Sequence, residues 1–257
     1  MKILYILVIL VIFLFIQATL VFNYNKKYET LKNIRVAVLI ITVKNTNRFK
    51  NEIEQWKKYM DRYNNIDCYF IECENKEEFK TIKSKCNEGY IPGIYQKTIL
   101  SMEKLNNNYD FYLRTNLSSF LILKNLLKKV RGLPRDRPFY SGVYCDKNSW
   151  NKSWVGGYGI LINNITKKIL VEKGKESKYF NNNKIPDDVL IGEVLSDNGI
   201  KCIVTPNFSV DWNYYENFRK NFKDINEKNP ALLRLKNENI KKYNETCNLL
   251  HKYFNKK

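Results

Sequence analysis

The chain has 257 residues, enough to bury a full core in one domain and to carry a terminal appendage as well. Its formal charge is +18, from 44 Lys+Arg against 26 Asp+Glu, but the lysines are scattered along a Lys-, Asn-, Ile- and Tyr-rich sequence. No clustered basic face with interleaved aromatics argues for nucleic acid. Six cysteines form no CxxC pair and the sole histidine is His251, which argues against a Cys/His zinc site; an even cysteine count outside the cytosol suits disulfides of unread pairing.

From Ile3 to Phe22 the sequence is almost unbroken Ile, Leu, Val and Phe, about the twenty residues that cross a bilayer. The run is too long for the apolar region of a cleaved signal, and no small-residue cleavage site stands near Ala18. The expected organisation is a signal-anchor over 1–22, a polar stem over 23–33 and one domain over 34–257. Lys26, Lys27 and Lys32 after the span favour a cytoplasmic body, whereas the cysteines and the sequons at Asn151, Asn164, Asn207 and Asn244 favour a luminal one.

Ile34 to Ile41 is a β-branched run suited to a strand buried on both faces. A polar turn over Thr42 to Asn47 follows, and then Phe49, Ile53, Trp56, Tyr59 and Met60 recur at helical spacing within Arg48 to Tyr63. Asp67 to Cys73 reads as a strand, Lys76 to Asn87 as a charged helix or loop, and Ile94 to Leu105 as a helix. The stretch from Tyr109 to Leu121 is distinctive: an apolar run, Phe111 to Leu113, stops in the polar cluster Arg114 to Ser119 before Phe120 resumes. That pattern predicts a strand delivering polar groups to a sheet edge, where open α/β sheets bind ligands.

Leu123 to Val130 reads as a helix, Gly132 to Arg137 as a loop and Phe139 to Tyr144 as a strand. Gly156 and Gly157 make a turn into the apolar strand ending at Ile162, where a missing Cβ permits close approach of a ligand or another segment. A helix from Thr166 to Gly174 and a loop from Glu176 to Lys184 precede Pro186-Asp187-Asp188-Val189. Here proline suits a first helical turn and the carboxylates suit its positive end. Lys201 to Val204 is a further strand, and the tail from Asp211 on reads as a helix packed on the domain or as partly disordered. Alternating strands and helices predict an α/β domain with a mostly parallel sheet.

No P-loop, GxGxxG, G-x-S-x-G or HExxH motif occurs. The order of the Val43 to Arg48 turn, the Trp56 helix, Gln96-Lys97-Thr98, Leu113-Arg114-Thr115-Asn116-Leu117-Ser118, the Gly156-Gly157-Tyr158 strand and Pro186 to Gly192 resembles the Fringe and β-1,3-galactosyltransferase family. The resemblance spans roughly Ile34 to Val204. It implies a GT-A fold, inverting transfer from a nucleotide sugar (UDP-linked in that family) to an acceptor hydroxyl on a glycan or glycoprotein, and a single-pass type II protein facing the ER or Golgi lumen.

The family's catalytic base falls on Asp188, with Asp187 where a Glu commonly stands. A carboxylate at a helix N-terminus is held in place and kept ionised, as a base requires, although helix capping is the commoner role of an Asp there. Asn45, Arg48, Lys97, Arg114, Asn116, Ser118, Gly156, Gly157 and Asp187 are the expected donor-binding residues. The family's metal-binding aspartate cluster is replaced by Asn116, Leu117 and Ser118, and its histidine ligand has no counterpart before His251. Mn²⁺ would lack both ligands, so no cofactor is expected, and Arg114, Lys97, Arg48 or backbone N–H groups would meet the leaving diphosphate. The alternative is a catalytically inactive fold acting as a carbohydrate-binding or structural surface protein.

Overall fold

The computed structural model describes residues 12–13, 15–19, 34–43, 47–73, 80–106, 108–143, 145–147, 152–212, 218–235 and 240–254. The chain divides into two units, 1–34 and 35–257. In the first, residues 12–13 and 15–19 are helical and expose Ile12, Phe13, Phe15 and Ile16. Among the described residues no helix is long and apolar enough to cross a membrane. Most of the apolar run from Ile3 to Phe22, and the stem, lie outside them.

The second unit is built on β1 (Val36–Ile41), whose six apolar residues are all buried, as a strand covered on both faces must be. Parallel neighbours flank it, β2 (Ile66–Cys73) on one side and β4 (Phe111–Asn116) on the other. With β3 (Thr81–Ser84), β6 (Tyr140–Gly142), β9 (Gly159–Asn163) and β10 (Ile203–Val204) they form, among the described residues, a sheet in the order β10-β6-β9-β4-β1-β2-β3. Only β9 runs antiparallel to its neighbours, so the expected mostly parallel α/β architecture is observed.

Helix α1 (Asn47–Lys57) follows β1, and α2 (Gly93–Lys104) carries the chain from β3 across to β4. The strand order therefore reverses direction between β1 and β4, and the carboxyl ends of the strands at such a reversal are where open α/β sheets bind ligands. α4 (Asn164–Gly174) begins at Asn163, whose side chain accepts from Thr166 N at 3.0 Å. α6 (Asp187–Asp197) packs with α2 and α4 over the sheet face that carries Ala37, Leu39 and Tyr112. Fully burying each of its Leu190, Ile191, Val194 and Leu195 contributes about 1.5–3 kcal/mol.

Several expectations need correcting. The segment from Lys76 to Asn87 contains β3, whose Thr81 to Ser84 pair with Phe70 to Cys73; residues 74–79 lie outside the described set. Polar residues on this edge strand obscure its period. The loop from Glu176 to Lys184 contains a short helix, α5 (Ser177–Phe180), and the first helix ends at Lys57, short of Tyr63. β4 does not stop at Leu113 but runs through Arg114, Thr115 and Asn116, because the Arg114 and Thr115 side chains find partners far along the chain.

The tail is an integral layer. β5 (Ser119–Leu121) pairs antiparallel with β12 (Leu232–Leu235), which pairs in parallel with β11 (Ser209–Trp212). α7 (Phe218–Lys228) and α8 (Ile240–Phe254) complete it, burying Ile225, Tyr243, Cys247 and Leu250. α3 (Leu123–Val130) matches its predicted span. β7 (Cys145–Lys147) and β8 (Ser153–Val155) form a two-stranded ribbon. Two disulfides, Cys73–Cys86 and Cys145–Cys202, secure the ends of β2 and β7, while Cys68 and Cys247 are buried thiols.

Candidate active site

Three elements converge at the carboxyl end of β4. Because β9 is antiparallel to β4, with Thr115 opposite Gly159, the turn before β9 arrives there, and so does the first turn of α6. The Thr115 hydroxyl donates to Tyr158 O at 2.9 Å, and Ser119 Oγ reaches the same carbonyl at 3.5 Å. From the other side Gly157 N donates to Asp188 Oδ2 at 2.9 Å. The glycine turn is thereby held between β4 and α6.

Gly157 is required by proximity. A Cβ there would lie 2.8 Å from Arg114 Nη1 and 3.1 Å from Asp188 Oδ2, closer than a side-chain carbon tolerates without displacing one of them. Gly192 does the same for the body of the helix: a Cβ would meet Trp154 Cβ at 2.5 Å and Ser153 O at 2.6 Å, so α6 lies tight on β8. The two approaches fix the start of α6 relative to the sheet.

Arg114 ion-pairs with Asp187, their side chains only 2% and 7% exposed. Burial pushes the Asp187 carboxyl above its ordinary range, and the Arg114 guanidinium opposes that shift. Arg114 Nε makes no hydrogen bond among the described residues, so a donor remains on the buried cation. Tyr140, buried beside this pair, accepts from Val155 N at 2.9 Å, and burial raises its phenol.

Asp188 differs from Asp187 in being partly exposed. Pro186 stands at the helix N-cap without a side-chain cap, and Asp188 Oδ1 accepts from Val189 N at 2.9 Å. Asp188 therefore satisfies one free N–H of the first helical turn with one oxygen and Gly157 with the other. Each oxygen keeps a second lone pair, which a hydroxyl donor can use.

The expected residues divide sharply. Arg114, Gly157, Asp187 and Asp188 meet, and buried Gly156 lies beside them, its carbonyl accepting from Gly159 N. Lys97 is at the same sheet end but is buried and ion-paired, donating to Thr42 O at 2.9 Å and to Glu88 Oε2 at 3.0 Å. It holds β1 to the loop before α2 and is not a free cation. Asn116 and Ser118 are half-buried in the turn linking β4 to β5. Asn45 and the side chain of Arg48 lie outside the described residues.

The turn residues do not fit a hard divalent cation. Leu117 O already accepts from Trp56 Nε1 at 3.0 Å and Tyr243 Oη at 3.3 Å, and Ser118 O from Leu235 N at 3.0 Å, which leaves neutral amide and hydroxyl side chains. Among the described residues no group of three His, Cys, Asp or Glu side chains could hold a metal. His251 packs on α8 against the rings of Tyr59 and Phe120, and burial lowers its imidazole to about 4.

Sequence reasoning missed Thr115, Tyr158 and Arg234. Arg234 on β12 lies in register with Ser119 and sets its guanidinium 4.5 Å from the centre of the Tyr158 ring. The alternation in Leu232-Leu233-Arg234-Leu235 was the available signal, since it leaves the arginine exposed between buried leucines.

No family model matches the chain, and no curated protein does. Similar solved structures include an active-site mutant of LgtC (8% identity, TM-score 0.49, 83% of this chain and 95% of that one). The bifunctional glycosyltransferase WbbM (11%, 0.48, 84% and 50%) and the glycosyltransferase GlyE of Streptococcus pneumoniae (12%, 0.47, 86% and 64%) are also similar. The chain spans half the length of WbbM and under two thirds of GlyE.

Proposed function

We propose that the chain is a membrane-anchored, inverting glycosyltransferase of GT-A type that moves a sugar from a UDP-linked donor to an acceptor hydroxyl. One observation carries the reading: Asp188 is a partly exposed carboxylate fixed by Gly157 N and the head of α6, at the carboxyl end of β4, next to which the strand order reverses. As base it takes the acceptor's proton while the acceptor oxygen attacks the sugar's anomeric carbon from the face opposite the departing nucleotide. The Arg114–Asp187 pair serves as a positioning device, anchoring the residue beside the base.

The apolar run from Ile3 to Phe22 supports an anchor, and the disulfides Cys73–Cys86 and Cys145–Cys202 support a body in an oxidising lumen, where a glycan or glycoprotein would be the acceptor. Full-length protein assayed against a panel of nucleotide sugars should release nucleoside diphosphate, with inverted anomeric configuration in the product. Asp188→Asn should fold normally and lose about 10²- to 10⁴-fold in turnover. Turnover that is unchanged in that variant removes Asp188 from the chemistry.

A second reading, an inactive fold that binds carbohydrate, is favoured by one feature: Arg114 and Lys97 are both neutralised inside the fold. Saturable glycan binding without nucleotide-sugar binding would select it.

A further inference from the structure

The departing diphosphate gains a negative charge, and two of the three cations first expected to meet it do not stand free, while the side chain of the third, Arg48, lies outside the described residues. Arg114 is buried against Asp187, and Lys97 against Glu88 and Thr42 O. The turn from Asn116 to Ser118 offers no carboxylate for a bridging cation. One arginine at this end of the sheet has neither constraint. Arg234 is exposed, and among the residues whose side chains are described no carboxylate ion-pairs with it, the side chain of Asp211 on β11 lying outside them.

Its position is specified by the fold. β12 places Arg234 opposite Ser119 of β5 and in register with Asp211 of β11, and the next residue, Leu235, donates its N–H to Ser118 O. The guanidinium lies over the ring of Tyr158, whose carbonyl accepts from Thr115 at the end of β4 and whose neighbour Gly157 holds Asp188. Base and guanidinium, carried by α6 and β12, thus each contact one of two adjacent residues of a single turn. Stacking on an aromatic ring orients the planar fork without consuming its N–H donors, which suits bidentate contact with phosphate oxygens.

We propose that Arg234 binds the diphosphate of the donor and stabilises it as it leaves, in place of a metal ion. The proposal rests on the transferase reading. As the acceptor oxygen bonds to the anomeric carbon, the bond from that carbon to the diphosphate oxygen breaks, and its electron pair stays on that oxygen. The acceptor's proton passes to Asp188, and the nucleoside diphosphate departs with one more negative charge, facing Arg234.

Calorimetric titration of the full-length chain with UDP and GDP, in buffer containing EDTA, tests this. Wild type should bind at least one of them. Arg234→Ala should weaken that affinity about ten-fold or more with unchanged thermal stability, Arg234→Lys should recover part of it, and the corresponding nucleoside should bind wild type and Arg234→Ala alike. Equal diphosphate affinity in wild type and Arg234→Ala overturns the role of Arg234 and leaves the transferase reading standing. An absolute requirement for Mn²⁺ in wild-type binding also overturns it. If wild type binds neither diphosphate with or without Mn²⁺, the donor reading falls first, and the proposal with it.

Discussion

The two ends of the central sheet both carry arginine–aspartate pairs, yet they are built on opposite principles. At the amino end Arg35 bonds Asp67 at 2.9 Å and Arg135 bonds Asp110 at 3.3 Å, with side chains between 29% and 43% exposed. Tyr109 joins this group through Asp67 at 2.9 Å and Tyr69 at 2.8 Å, and Asp110 also accepts from Arg35 N. At the carboxyl end Arg114 and Asp187 are withdrawn from water almost completely. Exposed pairs are screened and contribute little, whereas a buried pair carries a desolvation penalty that its own attraction only offsets. The amino end can be read as surface trim; the carboxyl end is an arrangement that stability alone does not explain.

Stability measurements can break that contrast. The largest effect is expected for Arg114→Met, which leaves Asp187 buried without its partner and should cost about 3–5 kcal/mol in urea denaturation. The double variant Arg114→Met/Asp187→Leu should recover most of the loss, because the uncompensated charge goes with its partner. Gly157→Ala should follow, at about 1–3 kcal/mol, together with reduced turnover, since the new carbon crowds Arg114 and Asp188. Smallest of all, Arg35→Ala should cost about 0–1 kcal/mol. A loss at Arg35 equal to that at Arg114 would erase the distinction between the two ends.

Much of this was legible in the sequence, for identifiable reasons. β1, α3 and α6 show themselves through uninterrupted or helically spaced apolar residues whose burial needs no distant partner. The extension of β4 through Arg114 to Asn116 was hidden, because a buried arginine resembles a loop residue until Asp187, 73 positions away, is brought to it. Four of the expected site residues, Arg114, Gly157, Asp187 and Asp188, do come together. Lys97 shares their end of the sheet, but nothing local announces that its charge is taken by Glu88. Arg234 was harder to place for the opposite reason: its alternation with buried leucines is legible, but it sits in a charged tail whose order depends on pairing with a strand more than a hundred residues earlier.

That pairing has a consequence for how the protein is made. β12 borders β5 and Leu235 ties down Ser118, so the turn after β4 is complete only when residues more than a hundred positions further along arrive. Domains form from the amino terminus as they emerge from the ribosome, and here the central sheet can assemble well before its last neighbour is synthesised. A nascent chain, or one cut short after α6, would present the edge of β5 uncovered, with the turn from Asn116 to Ser118 unsupported on that side. The enzyme proposed here would therefore become competent only after β12 has been made, and a nonsense mutation ahead of that strand would act as a loss of the site.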